Sequence, residues 1–247
     1  MSIPMPPISR AKKKFGNLEI DQTVKKAVEQ TFDINSKVLP SGKIIKPFLK
    51  EESLSLTKGI LDIMLDDKSF LTPYYLRELY LEHSFVVYTD EMLNTLRTFC
   101  NSKGLKHINE LCCGTGWFSH WMKKYGIPLQ NAVDNKTWFD YKKHDKFLPI
   151  VRKDDAVQFV RNNPQTDMFV LSWPYMDPLA RMIWDNMRAG QYLLYIGEGE
   201  GGCTADDSFF EAVRNHEITN NKEFNLFKKE FIQFRGLYDR PELYLKP

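Results

Sequence analysis

Cysteine is scarce in this chain and follows no pattern. Cys100, Cys112, Cys113 and Cys203 are the only four, without the paired spacing that a zinc site requires. Adjacent cysteines such as Cys112 and Cys113 bridge each other only under strain, so free thiols in a reducing compartment are expected, and no metal. No apolar run approaches the ~20 residues needed to cross a bilayer, so no membrane association is expected. The opening stretch MSIPMPPISRAKKKFG places its prolines before its cations and lacks a hydrophobic segment. That reads against a secretory signal and gives a cytoplasmic location as the expectation. Excess charge of one sign is missing too: a formal net charge of +2 does not by itself demand a polyanionic partner. Internal repeats and low-complexity segments are absent.

What is present is the balance of a globular protein, 43% apolar and 27% charged residues. Residues 1–16, with the block Arg10-Ala-Lys-Lys-Lys14, read as a flexible basic arm. Such a run is usually a solvated tail; contact with nucleic acid is its alternative use. Residues 17–104 read as a helical extension. A short amphipathic helix is expected over 19–33 and a loop at LPSGKIIKPF (39–48). Helical spacing follows in SLTKGILDIMLDD, and TPYYLRELYLEHS opens on Thr72 as cap with Pro73 in the first turn. TDEMLNTLRTFCNSKG repeats that device, with Thr89 as cap and Gly104 as stop.

From residue 105 to 247 strands and helices alternate, which argues for a parallel sheet covered on both faces. The expected strands are HINELCC, LQNAVD, PIVRKD, TDMFVLSWP and QYLLYIGE. The helix after TDMFVLSWP should stop at Gly190, and Thr204 should cap the helix ADDSFFEAVRNH. At the end, FNLFKKEFIQF and ELYLK flank a polar turn and read as an antiparallel hairpin.

In such a sheet the ligand sits beyond the carboxyl ends of the strands. The turn Gly114-Thr-Gly116-Trp-Phe-Ser119 offers two of the three glycines of a dinucleotide site, with serine in the third place. Glu110, four residues ahead, would repel a pyrophosphate but welcome a cation. S-adenosylmethionine (SAM) carries a sulfonium and an ammonium. Asp134 ends the second strand eighteen residues after Gly116, where either cofactor needs an acid for its ribose, ~20 residues on; a turn aspartate beside Asn135 is the plainer reading. Asp154 or Asp155 could meet an adenine amino group or simply cap the next helix.

ELCCGTGWFSHWM resembles the first motif of class I SAM-dependent methyltransferases, with Cys112 where a further glycine often stands. The resemblance implies a seven-stranded, mostly parallel Rossmann-like sheet with helices on both faces. It also implies SAM as cofactor, held by Glu110, Cys112, Gly114, Thr115, Gly116, Asp134, Asn135, Asp154, Asp155 and Ser172. Ser172-Trp173-Pro174-Tyr175, closing the fourth strand, resembles the Asn-Pro-Pro-Tyr element of methyltransferases that act on planar amino groups. Only Pro174 and Tyr175 match it outright. The resemblance implies that Ser172 and the backbone at Trp173 accept hydrogen bonds from the amine, that Pro174 fixes the turn, and that Tyr175 stacks on the acceptor. A wider likeness over residues 83–247, including the loop GEGEGGCT (197–204), is to methyltransferase-like proteins of unsettled substrate. In that loop the glycines read as a flexible mouth or lid, and Glu198 and Glu200 as holders of a cation or as solvated side chains. The expected activity is methyl transfer to a nitrogen of an acceptor that is nucleic acid, protein or small molecule. An inactive binding module on the same fold and a nicotinamide-dependent oxidoreductase are the rivals.

Overall fold

The computed structural model describes residues 22–48, 76–81, 83–137, 147–234 and 237–247. The arm at 1–16, the helix expected within 54–67 and the Thr72–Pro73 opening lie outside these residues. Six strands form one sheet in the order β3-β2-β1-β4-β5-β6. They are β1 Ile108–Leu111, β2 Leu129–Asp134, β3 Val151–Lys153, β4 Met168–Ser172, β5 Tyr192–Gly197 and β6 Arg240–Leu245. The first five run parallel, and β6 lies antiparallel on β5 from Tyr192↔Leu245 to Gly197↔Arg240.

The sheet is buried on both faces because its central strands carry apolar residues at consecutive positions. Along β4, Met168 and Val170 point to one side while Phe169 and Leu171 point to the other; all four are fully buried. On the first side pack α3 (Asp90–Ser102), α4 (Trp117–Lys124) and α8 (Lys222–Glu230), through Leu96, Phe99, Trp121, Phe224 and Phe227. On the second pack α5 (Ala156–Asn162), α6 (Leu179–Asn186) and α7 (Asp207–Val213), through Phe159, Val160, Ile183, Trp184 and Phe209.

The N-terminal part is tied to this core by specific bonds. The helix α1 (Gln22–Thr31) and the short α2 (Gly42–Ile45) bury Val24, Val28 and Ile45 in a third cluster with Tyr80, Ile232 and Phe234. The Trp121 indole donates to the Thr31 carbonyl at 2.9 Å. The Tyr125 hydroxyl accepts from Leu39 N at 2.9 Å and donates to Asp90 at 2.8 Å. Thr89 caps α3 as expected, accepting from Met92 N, and Gly104 follows with a left-handed φ of 65°.

Five expectations are corrected. Six strands are present among the described residues, not seven. The C-terminal hairpin is absent: its first half is α8, capped by Asn221, whose side chain accepts from Phe224 N at 2.8 Å. Phe224 and Phe227 both reach the core at helical spacing, whereas Leu226 between them is 44% exposed. The segment 39–48 is not simply a loop, because Ser41 caps α2 and a 3₁₀ turn continues over Lys46–Phe48. Asp206, not Thr204, caps α7, and α6 ends at Asn186, before Gly190.

Candidate functional site

A cavity of about 140 Å³ opens at the carboxyl ends of β1, β2 and β4, the place where an open α/β sheet offers a crevice. Glu110, Cys112, Gly114, Thr115, Asp134, Asn135, Asp155, Ser172, Trp173, Pro174 and Tyr175 all line it. Two sequence candidates do not. Asp154 is turned aside into an ion pair with Arg152 at 2.6 Å. Gly116 faces β3 rather than the cavity: at φ 87° a Cβ there would lie 2.4 Å from Val151 Cγ2. Close packing of the turn on β3 therefore requires this glycine.

Asp134 closes the turn. Its carboxylate accepts from Gly114 N at 3.0 Å and from Lys136 N at 2.7 Å. Burial raises its pKa above the ordinary value, with those two bonds pulling the other way. Asp134→Ala therefore strands two backbone donors, each costing about 1–3 kcal/mol where no water replaces the carboxylate. It should lower the melting temperature as well as the affinity for any ribose. Unchanged thermal stability in this variant would show the two bonds to be dispensable. Asn135 is turned to Thr137, whose backbone N donates to it at 2.9 Å. Asp155 caps α5, accepting from Gln158 N at 2.8 Å.

Glu110 is 1% exposed. Burial pushes its carboxyl up to about 8, against the pull of the Ser119 hydroxyl that donates to it. The Glu110 side chain is thus protonated at neutral pH unless a cation joins it. Ser119, itself buried, occupies the place of the missing third glycine. Cys112 adopts φ 52°, a left-handed conformation that a glycine takes without strain. Burial and the nearby Asp134 push its thiol up to about 12, so it is no nucleophile.

The wall opposite the turn comes from β4 and from the segment before α3. The Ser172 hydroxyl oxygen is buried without a hydrogen-bond partner. Trp173 adopts φ 51° and stacks on Phe85, centroids 5.1 Å apart at 19°. The Tyr175 side chain is largely in solvent, at 59% exposure for the residue. Cys113, Ala156 and Leu179 also face the cavity, and Leu81, His83, Ser84, Phe85, Val86 and Tyr88 complete the lining, with the Thr115 hydroxyl donating to the His83 carbonyl at 2.5 Å. The sequence reading expects the segment 54–100 as a whole to pack on the sheet and roof the cofactor but singles out none of these last six; the aromatics in HSFVVY just before a capped helix are the available signal. The glycine loop 197–204 contributes nothing to the lining. It is folded on itself, Glu198 accepting from Cys203 N at 2.9 Å and Glu200 paired with Arg214 at 3.0 Å.

No family model matches the chain, and no curated protein matches it. Among the described residues no group of His, Cys, Asp and Glu side chains could hold a metal ion, and no helix is long and apolar enough to cross a membrane. Solved structures similar to the chain include a SAM-dependent methyltransferase from Archaeoglobus fulgidus, 16% identical, covering 70% of this chain and 99% of that one at a TM-score of 0.40. The N-methyltransferase NodS from Bradyrhizobium japonicum is 11% identical, with 63% and 94% covered at 0.41. Human N-acetylserotonin methyltransferase in complex with SAM is 11% identical, with 96% and 69% covered at 0.34.

Proposed function

We propose that the chain is a SAM-dependent methyltransferase acting on a nitrogen of a planar, amine-bearing acceptor. The observation that carries this reading is the charge of the cavity. Glu110, Asp134 and Asp155 line it, and no lysine or arginine is among its described lining residues. A pyrophosphate would meet two carboxylates, the buried acid Glu110 and no counter-charge, whereas a ligand bearing a sulfonium and an ammonium meets groups that complement it. The residues fit the cofactor on a second count: Glu110 is a buried carboxyl at the cavity that a neighbouring cation would ionise.

When bound, SAM supplies an electrophilic methyl group on a good leaving group, so the chain's task is alignment. Glu110 and the turn at Gly114 would hold the methionine part, Asp134 the ribose and Asp155 the adenine edge. Ser172 has a hydroxyl with an open hydrogen-bonding capacity at the cavity, suited to accept from an amine N–H. Pro174 fixes the backbone after Trp173, and Tyr175 presents a ring face. These groups orient the acceptor lone pair without needing to remove a proton before attack.

Calorimetric titration with SAM, S-adenosylhomocysteine and NAD tests the reading. SAM and S-adenosylhomocysteine should bind and NAD should not. NAD binding in preference to SAM would establish the oxidoreductase alternative, and binding of neither would remove the cofactor assignment altogether.

A further inference from the structure

The glycine-rich loop 197–204 lies off the cavity, yet both aromatic residues of Ser172-Trp173-Pro174-Tyr175 are tied to it. At its far end, Ala205 N donates to the Tyr175 carbonyl at 3.1 Å. Just before the loop, Trp173 N donates to the carbonyl of Ile196 in β5 at 2.7 Å. Between them Glu198 takes two backbone donors, Cys203 N at 2.9 Å and Tyr238 N at 3.3 Å. The second of these fastens the turn that carries Asp239. Asp239 in turn accepts from the Trp173 indole N–H at 3.2 Å.

We infer that this loop is a brace for the acceptor wall: through Glu198 and Asp239 it sets the plane of the Trp173 ring, and through Ala205 the position of Tyr175. The inference rests on the methyltransferase reading only for the word acceptor; the bracing itself does not depend on it. Three features support it. Trp173 sits at φ 51°, a conformation that a bulky residue keeps only where its surroundings over-determine it. The bonds to Ile196 and Asp239 and the stack on Phe85 supply that surplus. Asp239 is 3% exposed and one of its carboxylate oxygens has no hydrogen-bond partner. A buried, half-satisfied carboxylate is costly and is a poor choice for stability alone. Lastly, the loop is compact: a Cβ on Gly202 would lie 2.4 Å from Glu198 Cβ, so glycine is what lets the chain close over that carboxylate. Glu198 and Asp239 are positioning residues in this arrangement, since neither lines the cavity.

The groups acting on Asp239 are few. Burial raises its carboxyl to about 6, the Trp173 bond and the Arg77 guanidinium lower it, and Glu198 raises it. Arg240, next in the chain, is turned to Glu242 at 2.7 Å. The indole N–H of Trp173 should therefore report the charge of Asp239.

The test uses the full chain labelled with ¹⁵N, whose five tryptophans give separate indole signals; Trp173→Phe identifies that of Trp173. In the wild type this signal should move with a midpoint near pH 6, and in Asp239→Asn the movement should vanish. Glu198→Gln should shift the same signal while leaving the other indoles in place. SAM affinity should stay within twofold in both variants. A Trp173 signal that ignores pH and both substitutions would overturn the brace, as would equal shifts of all the indoles. Should either variant fail to fold, the pH titration of the wild type decides alone. Failure of SAM to bind the wild type would sink the cofactor assignment and leave the indole result standing.

Discussion

Tyr175→Ala is expected to cut methyl transfer by about two orders of magnitude while leaving SAM affinity and melting temperature nearly unchanged. The residue is 59% exposed, so truncating its ring takes little surface out of the core. Stacking of an aromatic on a base is worth ~1–3 kcal/mol, and the larger figure corresponds to that loss of rate. Tyr175→Phe keeps the face and should retain most of the activity. Ser172→Ala removes one acceptor and should cost roughly 0.5–1.5 kcal/mol in transition-state binding. Transfer of a labelled methyl group, read beside calorimetry and thermal melting on the same preparations, separates the outcomes. A Tyr175→Ala protein that melts early and loses SAM together with turnover would identify a packing residue instead of a platform.

The second large effect concerns Glu110. Burial holds its carboxyl near 8 in the folded chain, against an ordinary value of 4.5. Between those values the folded state keeps a proton that the unfolded state has released. The ligand-free protein should therefore lose stability as pH rises through this window, at up to ~1.4 kcal/mol per pH unit from this group. Below the lower value the contribution vanishes. A cation placed beside Glu110 reverses the preference, so SAM binding near pH 7 should release close to one proton. Calorimetry in two buffers of different ionisation enthalpy measures this directly. Glu110→Gln should abolish the proton release, flatten the stability profile and weaken SAM by about 10–100-fold, the worth of a charge-assisted contact. An enthalpy independent of buffer in the wild type would mean that the cation does not reach Glu110.

The strands and most of the caps could be read from the chain because they depend on neighbours in sequence. Consecutive apolar residues in MFVL mark a strand buried on both sides, and Thr89 and Asp155 stand one place ahead of their helices. Where two periodicities competed the reading failed: Phe224, Leu226, Ile232 and Phe234 fall at alternate positions, but Asn221 and the core on α3 select the helix. The acids and the glycine turn were legible as a cluster because β1 and β2 bring them together within thirty residues. Ser119 beside Glu110, the partnerless Ser172 hydroxyl and the bond from Trp173 to Asp239 were not, since each depends on contacts that exist only once the chain is folded. The same holds for Gly116, whose need for glycine comes from Val151, thirty-five positions later.

The roof over the cavity has a bearing on where this protein can be cut. Leu81, His83, Ser84, Phe85, Val86 and Tyr88 lie ahead of every strand among the described residues. A fragment starting at residue 105 would contain the whole sheet and every carboxylate of the site, yet six lining side chains would be gone and Trp173 would lose the ring it rests on. The fragment would also lack Leu96 and Phe99, leaving the sheet face under α3 bare. The boundary drawn by strand content therefore differs from the boundary of the binding unit, which starts before residue 81. For expression, crystallisation or domain grafting, the N-terminal segment belongs with the sheet, and a ligand that fills the cavity should protect both from proteolysis at once.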